Sequence, residues 1–223
     1  MSLMPAKMNR KEHADRLSQY AISIGQLKRV LPKKNWDVVF CDNTVSDFGR
    51  LSNRTLSQLL NREKIVQVGA NLGEDNKGVG ELDMLAAALK ATEIGHYSTV
   101  SYFTGRHILT CPYVFERTEA MQAEALLSNP DFLYLDGTFL ESYKVKMYND
   151  MFFSMKPDVI TRYSLFAQGN REMMLNQSFG SEQLLYKFVH EQRVSIEWLD
   201  SIGLIRTHSA RTGIKKKQVW HVC

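Results

Sequence analysis

The hydrophobic positions in the first third of the chain alternate between helical and extended patterns. Apolar residues over 14–31 recur at steps of three and four, which predicts an amphipathic helix that ends at Pro32. The almost wholly apolar run 36–41 follows and predicts a short strand that is buried on both faces. Leucines over 56–60 predict a second helix, and residues 65–68 predict a second strand.

The same alternation continues along the chain and becomes more mixed in the second half. Five further segments carry a pattern: a helix over 81–92, a strand over 99–103, extended stretches over 132–135 and 151–154, and a helix over 181–192. Strand, loop and helix in succession predict parallel βαβ units, and the mixed second half predicts that antiparallel strands join the sheet there. We therefore expect an α/β fold with a mostly parallel central sheet.

Length and composition fit one globular domain. The 223 residues suit a single α/β domain, and 44% hydrophobic with 23% charged residues argues against disorder. No apolar run approaches the ~18–20 residues of a membrane span, and the start lacks a secretory apolar core. We expect one domain over 1–223, with residues 1–12 disordered or vector-derived and residues 194–223 forming a C-terminal hairpin with a basic segment.

The cysteine and histidine positions predict neither a disulfide framework nor a metal site. The three cysteines, Cys41, Cys111 and Cys223, have no CxxC spacing. The six histidines show no HExxH or facial-triad spacing. A reducing cytoplasm is therefore the expected location.

Polar clusters follow three successive elements of this pattern. The clusters are Asp42-Asn43-Thr44 after the first strand, the Gly-rich loop 69–80 with Asn76-Lys77-Gly78 before a helix, and Thr104-Gly105-Arg106-His107 after the third strand. Ligands of open α/β sheets bind beyond the carboxyl ends of the strands. We therefore expect these three clusters to share one crevice.

Each cluster has a functional and a structural interpretation. Asp42 can accept hydrogen bonds from a ribose or a base, but Asp, Asn and Thr also favour turns and caps. The glycine-rich loop and its helix start can approach an anion, with Lys77 adding a charge, or they form an ordinary turn and a capped helix. Arg106 can hold a diphosphate in bidentate fashion, or it forms a surface salt bridge. The loop matches neither the GxxxxGK[ST] nor the GxGxxG spacing.

Three motifs together resemble bacterial surface-polysaccharide glycosyltransferases. These are Asp42-Asn43-Thr44, Asn76-Lys77-Gly78 with Glu81, and Phe103-Thr104-Gly105-Arg106. Their order resembles the wider nucleotide-diphospho-sugar transferases of the GT-A fold, over roughly residues 12–190. The resemblance implies a single GT-A-like, Rossmann-like domain of three layers. It also implies a hexosyltransferase that moves a sugar from a nucleotide-diphospho-sugar to a glycan, lipid-linked or other hydroxyl acceptor in polysaccharide synthesis, in the cytoplasm or at the inner membrane surface.

The resemblance assigns roles to individual residues. It places Asp42, with Asn43 and Thr44, on the base or ribose. It also places four residues on the nucleotide-sugar: Asn76, Lys77, Gly78 and Asp150. Glu182 stands where inverting members carry the general base, a role that suits a carboxylate that takes the acceptor proton as the new bond forms. The structural alternative for Glu182 is an acid favoured by a helix N-terminus.

The sequence departs from the GT-A pattern at two places. Residues 1–12 hold no strand pattern, although GT-A chains begin with a strand. No DxD metal motif occurs, and Gly105-Arg106 stands where one is expected. Without a metal, Arg106 and Lys77 would stabilise the leaving diphosphate. Two alternatives to this metal-free enzyme stay open: an enzyme that uses a divalent cation without a DxD motif, and a relative that has lost catalytic activity. His221 is a further candidate for a contact to the diphosphate.

The basic C-terminal segment leaves a rival interpretation open. Much of the net charge of +4 lies there, in Arg206, Arg211, Lys215, Lys216 and Lys217. Two helices over 184–192 and 195–202, a basic turn and an extended end resemble a winged helix, whose wing would bind nucleic-acid phosphates. That interpretation leaves 36–106 unexplained, so nucleic acid is not the expected partner. The basic turn would otherwise lie near the diphosphate or a membrane-linked acceptor, or in solvent.

Overall fold

The structure is a computed structural model that describes most of the chain. It describes residues 1, 9–32, 34–45, 47–48, 51–68, 75–128, 131–133, 139–141, 146–177, 179–206 and 218–220. The helices are α1 Arg10–Val30, α2 Arg54–Leu60, α3 Lys77–Lys90, α4 Tyr113–Ala120, α5 Pro157–Gly169, α6 Arg171–Gln177 and α7 Ser181–Glu191, with a 3-10 turn at Ile94–His96. The strands are β1 Val39–Asp42, β2 Lys64–Gln67, β3 Val100–Phe103, β4 Ile108–Leu109, β5 Ala125–Ser128, β6 Asp131–Leu133, β7 Phe139–Glu141, β8 Phe152–Met155, β9 Ile196–Leu199, β10 Leu204–Arg206 and β11 Gln218–Trp220.

The strands form four hydrogen-bonded groups. A four-stranded sheet has the order β3-β8-β5-β9, in which β8 is antiparallel to both neighbours and β5 is parallel to β9. β1 and β2 form a parallel pair, and β4-β10-β11 form an antiparallel group. β6 and β7 form an antiparallel pair. The chain is thus a mixed α/β protein.

The mixed class is confirmed, but the predicted parallel order fails in the middle of the chain. The sequence placed 99–103 in a parallel run with the two preceding strands. In the structure β3 pairs with β8, in antiparallel register from Val100–Met155 to Phe103–Phe152. The backbone hydrogen-bonding groups on one edge of β3 are thus paired with β8, a strand that lies about 50 residues further along the chain. The local hydrophobic pattern does not encode a contact between segments so far apart.

Helix boundaries follow the capping residues more closely than the apolar pattern does. Asn9 accepts from the backbone N–H of Glu12, and the Glu12 side chain accepts from the backbone N–H of Asn9, a capping box that starts α1 at Arg10. Helical structure therefore begins within 1–12, the stretch expected to be disordered. Met1 also packs inward, where its amino group donates to the Cys41 carbonyl. Asn76 caps α3, which starts at Lys77 rather than at the predicted residue 81.

The second helix of the winged-helix interpretation is a strand. Residues 195–202 contain β9, which pairs in parallel with β5 from Ala125–Ile196 to Ser128–Leu199. The parallel ladder in the four-stranded sheet outweighs the helical spacing of this short segment. The basic turn 207–217 and His221 lie outside the described residues. The helix–helix–wing order is therefore wrong.

Three hydrophobic clusters form the core and carry the elements around the site. The largest packs α3, α5 and α7 on one face of the four-stranded sheet, with Phe153, Tyr163 and Phe188 fully buried. A second cluster includes Leu109, Val114 and Phe152, and a third joins α1, α2 and β1.

Among the described residues no helix combines the length and apolarity needed to cross a membrane. Cys111 forms a disulfide, contrary to the expectation for the cysteines, and Cys41 is free.

Candidate functional site

A large cavity lies among β1, β3, α1 and α3. Its volume is about 1070 Å³, close to the upper end of the ~300–1,000 Å³ typical of ligand pockets. The apolar walls come from strand and helix side chains such as Phe40, Tyr102 and Leu85. Polar residues from all three predicted clusters line it as well: Asn43, Lys77, Glu81, Thr104, Gly105 and Arg106. Residues from all three clusters therefore line one cavity, but four predicted site residues of these clusters are not among its lining: Asp42, Thr44, Asn76 and Gly78.

Lys77 and Arg106 supply positive charge to this cavity. Lys77 Nζ lies 3.0 Å from the Glu81 carboxylate, and this pair raises the pKa of Lys77, with smaller contributions from Asp150 and Glu182. Arg106 is buried and acts on the same lysine, lowering its pKa by repulsion. Lys77 therefore keeps its charge through the neutral and mildly alkaline range, next to a guanidinium that is always charged.

Three carboxylates converge beside the cavity on the hydroxyl of Ser181. Its Oγ lies 2.5 Å from Asp150 Oδ2, 3.2 Å from Glu81 Oε2 and 3.4 Å from Glu182 Oε2. We call Glu81, Asp150 and Glu182 the carboxylate cluster. A serine hydroxyl carries one hydrogen, so it donates to only one of these acids at a time. The cluster is connected to the cavity through Glu81, which lines the cavity and holds Lys77.

Asp150 is the most perturbed acid of the carboxylate cluster. Burial raises the pKa of Asp150 well above its usual value, and the charges of Glu182 and Glu81 raise it further. The Lys77 charge and the Ser181 hydrogen bond oppose this shift. Proteins use a buried acid with a raised pKa beside other carboxylates to separate the proton-donating role from the proton-accepting role.

The Asp42 side chain is engaged in its own turn. It is fully buried, and its Oδ1 accepts from the backbone N–H of Thr44 at 2.7 Å, from Thr44 Oγ1 at 2.9 Å and from the backbone N–H of Val45 at 2.8 Å. This is the turn that Asp favours at such a position. It turns the chain after β1 and brings Asn43 to the cavity wall. A contact from Asp42 to a base or ribose stays a prediction.

The Asn76 side chain is likewise used to join helices. Its Oδ1 accepts from the backbone N–H groups of Gly78 and Val79, and its Nδ2 donates to the carbonyls of Met174 and Phe179. The N–H of Gly80 is bonded to the Asn76 carbonyl. These contacts form the capped helix that was the structural alternative for this loop, and they occupy N–H groups that an anion would otherwise contact.

Gly78 allows α3 to approach α7 closely. A Cβ atom built on Gly78 would lie 2.7 Å from the backbone nitrogen of Ser181 and 3.0 Å from Met174 Cε. No side chain fits in that space without moving the backbone. This close approach brings Lys77 and Glu81 of α3 to the carboxylates at the start of α7. Gly78 thus supports the site by permitting contact between two helices.

The predicted site residues fall into two groups. Asn43, Lys77 and Arg106 line one cavity, while Asp150 and Glu182 lie in the carboxylate cluster beside it. A second group supports these from behind: Asp42, Thr44, Asn76 and Gly78.

Sequence reasoning missed Ser181, the hydroxyl that joins the carboxylates. Its only signal was a serine at the predicted start of a helix, where serine is common as a cap. It also missed Asn149, whose Nδ2 is buried without a hydrogen-bond partner next to Asp150. An unsatisfied buried donor costs about 1–3 kcal/mol, so this position is suited to an oxygen from a ligand or from water.

Metal-ligand geometry is not found in the described part of the chain. No group of three or more His, Cys, Asp or Glu side chains there is arranged to hold a metal ion. Among the described residues that line the cavity, Arg16, Lys77 and Arg106 are the lysine and arginine side chains available to a bound anion, and Glu12, Asp37, Glu81 and Glu119 are acids of the same lining.

Comparisons with known proteins do not establish a family. No protein-family model matches the chain, and no curated protein matches it. The crystal structure of HddC from Yersinia pseudotuberculosis is similar over 72% of this chain and 69% of that chain, with a TM-score of 0.35 and 11% sequence identity. At this TM-score and identity, the similarity carries no argument about the fold family or the activity.

Proposed function

We propose that this chain is a glycosyltransferase that binds a nucleotide-diphospho-sugar in the cavity and transfers the sugar to a hydroxyl acceptor. The observation that carries the proposal is that Asn43, Lys77 and Arg106 line one cavity of about 1070 Å³. They come from the ends of two strands and the start of a helix, and the carboxylate cluster lies directly beside them. The GT-A resemblance of the motifs supports the same assignment.

Two cations in the lining of the proposed site, Lys77 and Arg106, suit a diphosphate. Lys77 and Arg106 offer an ammonium and a guanidinium, and a guanidinium pairs with phosphate oxygens through two parallel hydrogen bonds. When the bond from the anomeric carbon to the diphosphate breaks, the leaving oxygen gains negative charge. Cations already in place stabilise that charge without reorganisation. Lys77 and Arg106 are therefore assigned to the leaving group, with Arg106 as the catalytic cation.

The polar and apolar walls suit the two other parts of the donor. Asn43 provides amide groups for a base or ribose, and the apolar walls, with aromatic rings such as Tyr102, suit the flat face of a base.

Glu182 is assigned to the acceptor proton. The acceptor hydroxyl oxygen bonds to the anomeric carbon as its proton passes to the Glu182 carboxylate and the diphosphate departs with the electron pair. Burial raises the pKa of Asp150, so this carboxyl holds its own proton more tightly than an ordinary aspartate and is less available to take the proton of the acceptor. Hexoses as the transferred sugar, and polysaccharide synthesis as the setting, belong to the same proposal.

A thermal-shift panel tests donor binding. Uridine, guanosine, cytidine and thymidine diphosphates are compared with duplex DNA at two salt concentrations. A ligand at 100 times its dissociation constant stabilises the fold by about 2.7 kcal/mol, which raises Tm by roughly 5–11 °C for a chain of this size. We expect one nucleoside diphosphate to give this shift and DNA to give none.

Two lysine variants make the panel specific. Lys77→Ala removes the cavity ammonium and is expected to lose most of the nucleotide-dependent shift. Lys187→Ala removes a lysine that pairs with Glu191 on α7 and does not line the cavity, so it should keep the shift. No stabilisation by any diphosphate, or an equal loss in both variants, contradicts the proposal. Stabilisation by DNA alone, lost at high salt, supports the nucleic-acid interpretation instead.

A further inference from the structure

A row of side chains on α7 begins at Glu182 of the carboxylate cluster and includes two aromatic rings. Glu182, Tyr186 and His190 are spaced by four residues and therefore lie along one side of the helix. The rings of Tyr186 and His190 are in contact, with centroids 4.1 Å apart. At 1.5 Å of rise per residue, the row extends about 12 Å from the carboxylate cluster toward the end of α7.

Tyr148 and Trp198 extend this row from outside the helix. The Tyr148 ring centroid lies 5.0 Å from that of Tyr186 and 5.4 Å from that of Trp198. Its hydroxyl lies 3.0 Å from His190 Nε2. We call Tyr148, Tyr186, His190 and Trp198 the aromatic stripe.

The aromatic stripe is joined to the carboxylate cluster by backbone contacts. The N–H of Tyr148 donates to the Glu182 carbonyl at 3.0 Å, and Asp150 follows two residues later in the chain. Tyr148 thus connects the first turn of α7 to the loop that carries Asp150. A ligand that lies along the stripe reaches Glu182 at one end.

Three of the four rings in the stripe are accessible, whereas Tyr148 is buried, and the side chains are amphipathic. His190 is exposed, Tyr186 is half-buried and Trp198 is 36% exposed. Isolated exposed leucines such as Leu165 need no explanation, but Tyr186, His190 and Trp198, held together around the buried Tyr148, form a distinct aromatic surface with polar tips. Tyr and Trp combine an apolar ring with a hydrogen-bonding group, and the imidazole of His190 adds two nitrogens. Such a surface matches a ligand with both C–H faces and hydroxyl edges.

We propose that the aromatic stripe binds a pyranose ring of the acceptor and presents one of its hydroxyls to Glu182. The C–H groups on one face of a pyranose pack against the electron-rich face of an aromatic ring, while hydroxyls at its edge bond to polar tips. This assignment rests on the proposed transferase function and adds the acceptor class to it, a saccharide. The occupant follows from continuity with the catalytic carboxylate, since the attacking group must be a hydroxyl there.

A fluorine NMR titration tests the stripe directly. The protein is labelled with 5-fluorotryptophan, and Trp198→Phe identifies the Trp198 resonance. The probes are methyl β-glucoside, methyl β-galactoside, N-acetylglucosamine and cellobiose. We expect at least one saccharide to shift the Trp198 resonance in a saturable way, with the disaccharide binding more tightly than its monosaccharide.

Variants at matched exposure control the titration. Trp198→Ala and, as a second variant at an exposed position, His190→Ala should each weaken saccharide binding by about tenfold. Leu175→Ala removes a side chain that is 38% exposed on α6, outside the stripe, and should leave the affinity unchanged. Unfolding temperatures confirm that the variants fold. Absence of any Trp198 shift with all four saccharides, or equal affinities in Trp198→Ala and Leu175→Ala, overturns the assignment.

Nucleotide binding separates the two proposals. If the stripe assignment alone fails, the nucleoside diphosphate still stabilises the wild type and Trp198→Ala equally. If the transferase proposal fails, the diphosphate does not bind at all. With an active enzyme, Trp198→Ala should raise the acceptor KM while it leaves the donor KM unchanged. An unchanged acceptor KM overturns the proposal.

Discussion

The contact between α3 and α7 predicts a clear effect of Gly78→Ala. The new Cβ would lie 2.7 Å from the Ser181 backbone nitrogen, whereas ordinary contacts begin at 3.4 Å. The helices must therefore separate by about 0.7 Å at this point, because a backbone nitrogen cannot rotate away. Overpacking of this kind costs about 1–3 kcal/mol, and the better helix propensity of alanine returns up to ~1 kcal/mol.

The expected net loss for Gly78→Ala is about 1–2 kcal/mol, or a Tm lower by roughly 2–8 °C. Differential scanning calorimetry measures it. The control is Gly169→Ala at the end of α5, where no atom lies within 4 Å of the new Cβ. There the smaller entropy of the unfolded chain should stabilise the protein by about 0.4–1 kcal/mol.

The same substitution should also affect the site. Separation of the helices moves Lys77 and Glu81 away from Ser181, so nucleoside-diphosphate binding should weaken in Gly78→Ala and stay unchanged in Gly169→Ala. If Gly78→Ala is as stable as the wild type, α3 and α7 do not approach each other this closely, and the placement of Lys77 and Glu81 beside Ser181 is wrong.

Three further substitutions test individual carboxylates. Glu182→Gln should spare nucleotide binding but lower the transfer rate by about 100-fold or more, since it removes the base; an unchanged rate in a product assay removes that role. Asp150→Asn should become more stable relative to the wild type as pH rises above about 4. The reason is that the Asp150 carboxyl ionises in the unfolded chain before it ionises in the folded protein, which lowers the free energy of unfolding of the wild type alone. Thermal melts at pH 5 and pH 8 measure this, and a pH-independent difference contradicts the assignment. Asp42→Ala should weaken nucleotide binding. It should also lower the free energy of unfolding by about 1–2 kcal/mol, because the N–H groups of Thr44 and Val45 lose their acceptor. A Tm within about 1 °C of the wild type, measured by calorimetry, would contradict this structural role of Asp42.

Local signals predicted the first half of the fold well. The apolar runs before Asp42 and Thr104 are strands, and the periodic stretch before Pro32 is a helix. These elements are encoded by residues close in sequence. The pairing of β3 with β8 and of β5 with β9 depends on partners far along the chain, so hydrophobic spacing did not indicate it.

The site was predictable in position and less so in detail. Asn43, Lys77 and Arg106 line one cavity, as expected, but β1 and β3 belong to different sheets, so they do not meet by the rule of a shared parallel-sheet edge. Whether a polar side chain faces a ligand or its own backbone depends on local geometry. Asn76 satisfies backbone groups of two helices, and Ser181 joins acids from three segments. Neither outcome is visible in residue type alone.

In the proposed function, Lys77 and Arg106 bind a diphosphate in the cavity beside the carboxylate cluster. The most direct measurement is isothermal titration with a nucleoside diphosphate and with its parent nucleoside, on the wild type and on Lys77→Ala. We expect the wild type to bind the diphosphate at least ~30-fold more tightly than the nucleoside, a difference of roughly 2 kcal/mol, and Lys77→Ala to lose most of this difference. Equal affinity for nucleoside and diphosphate in the wild type, or no binding of either, would contradict it.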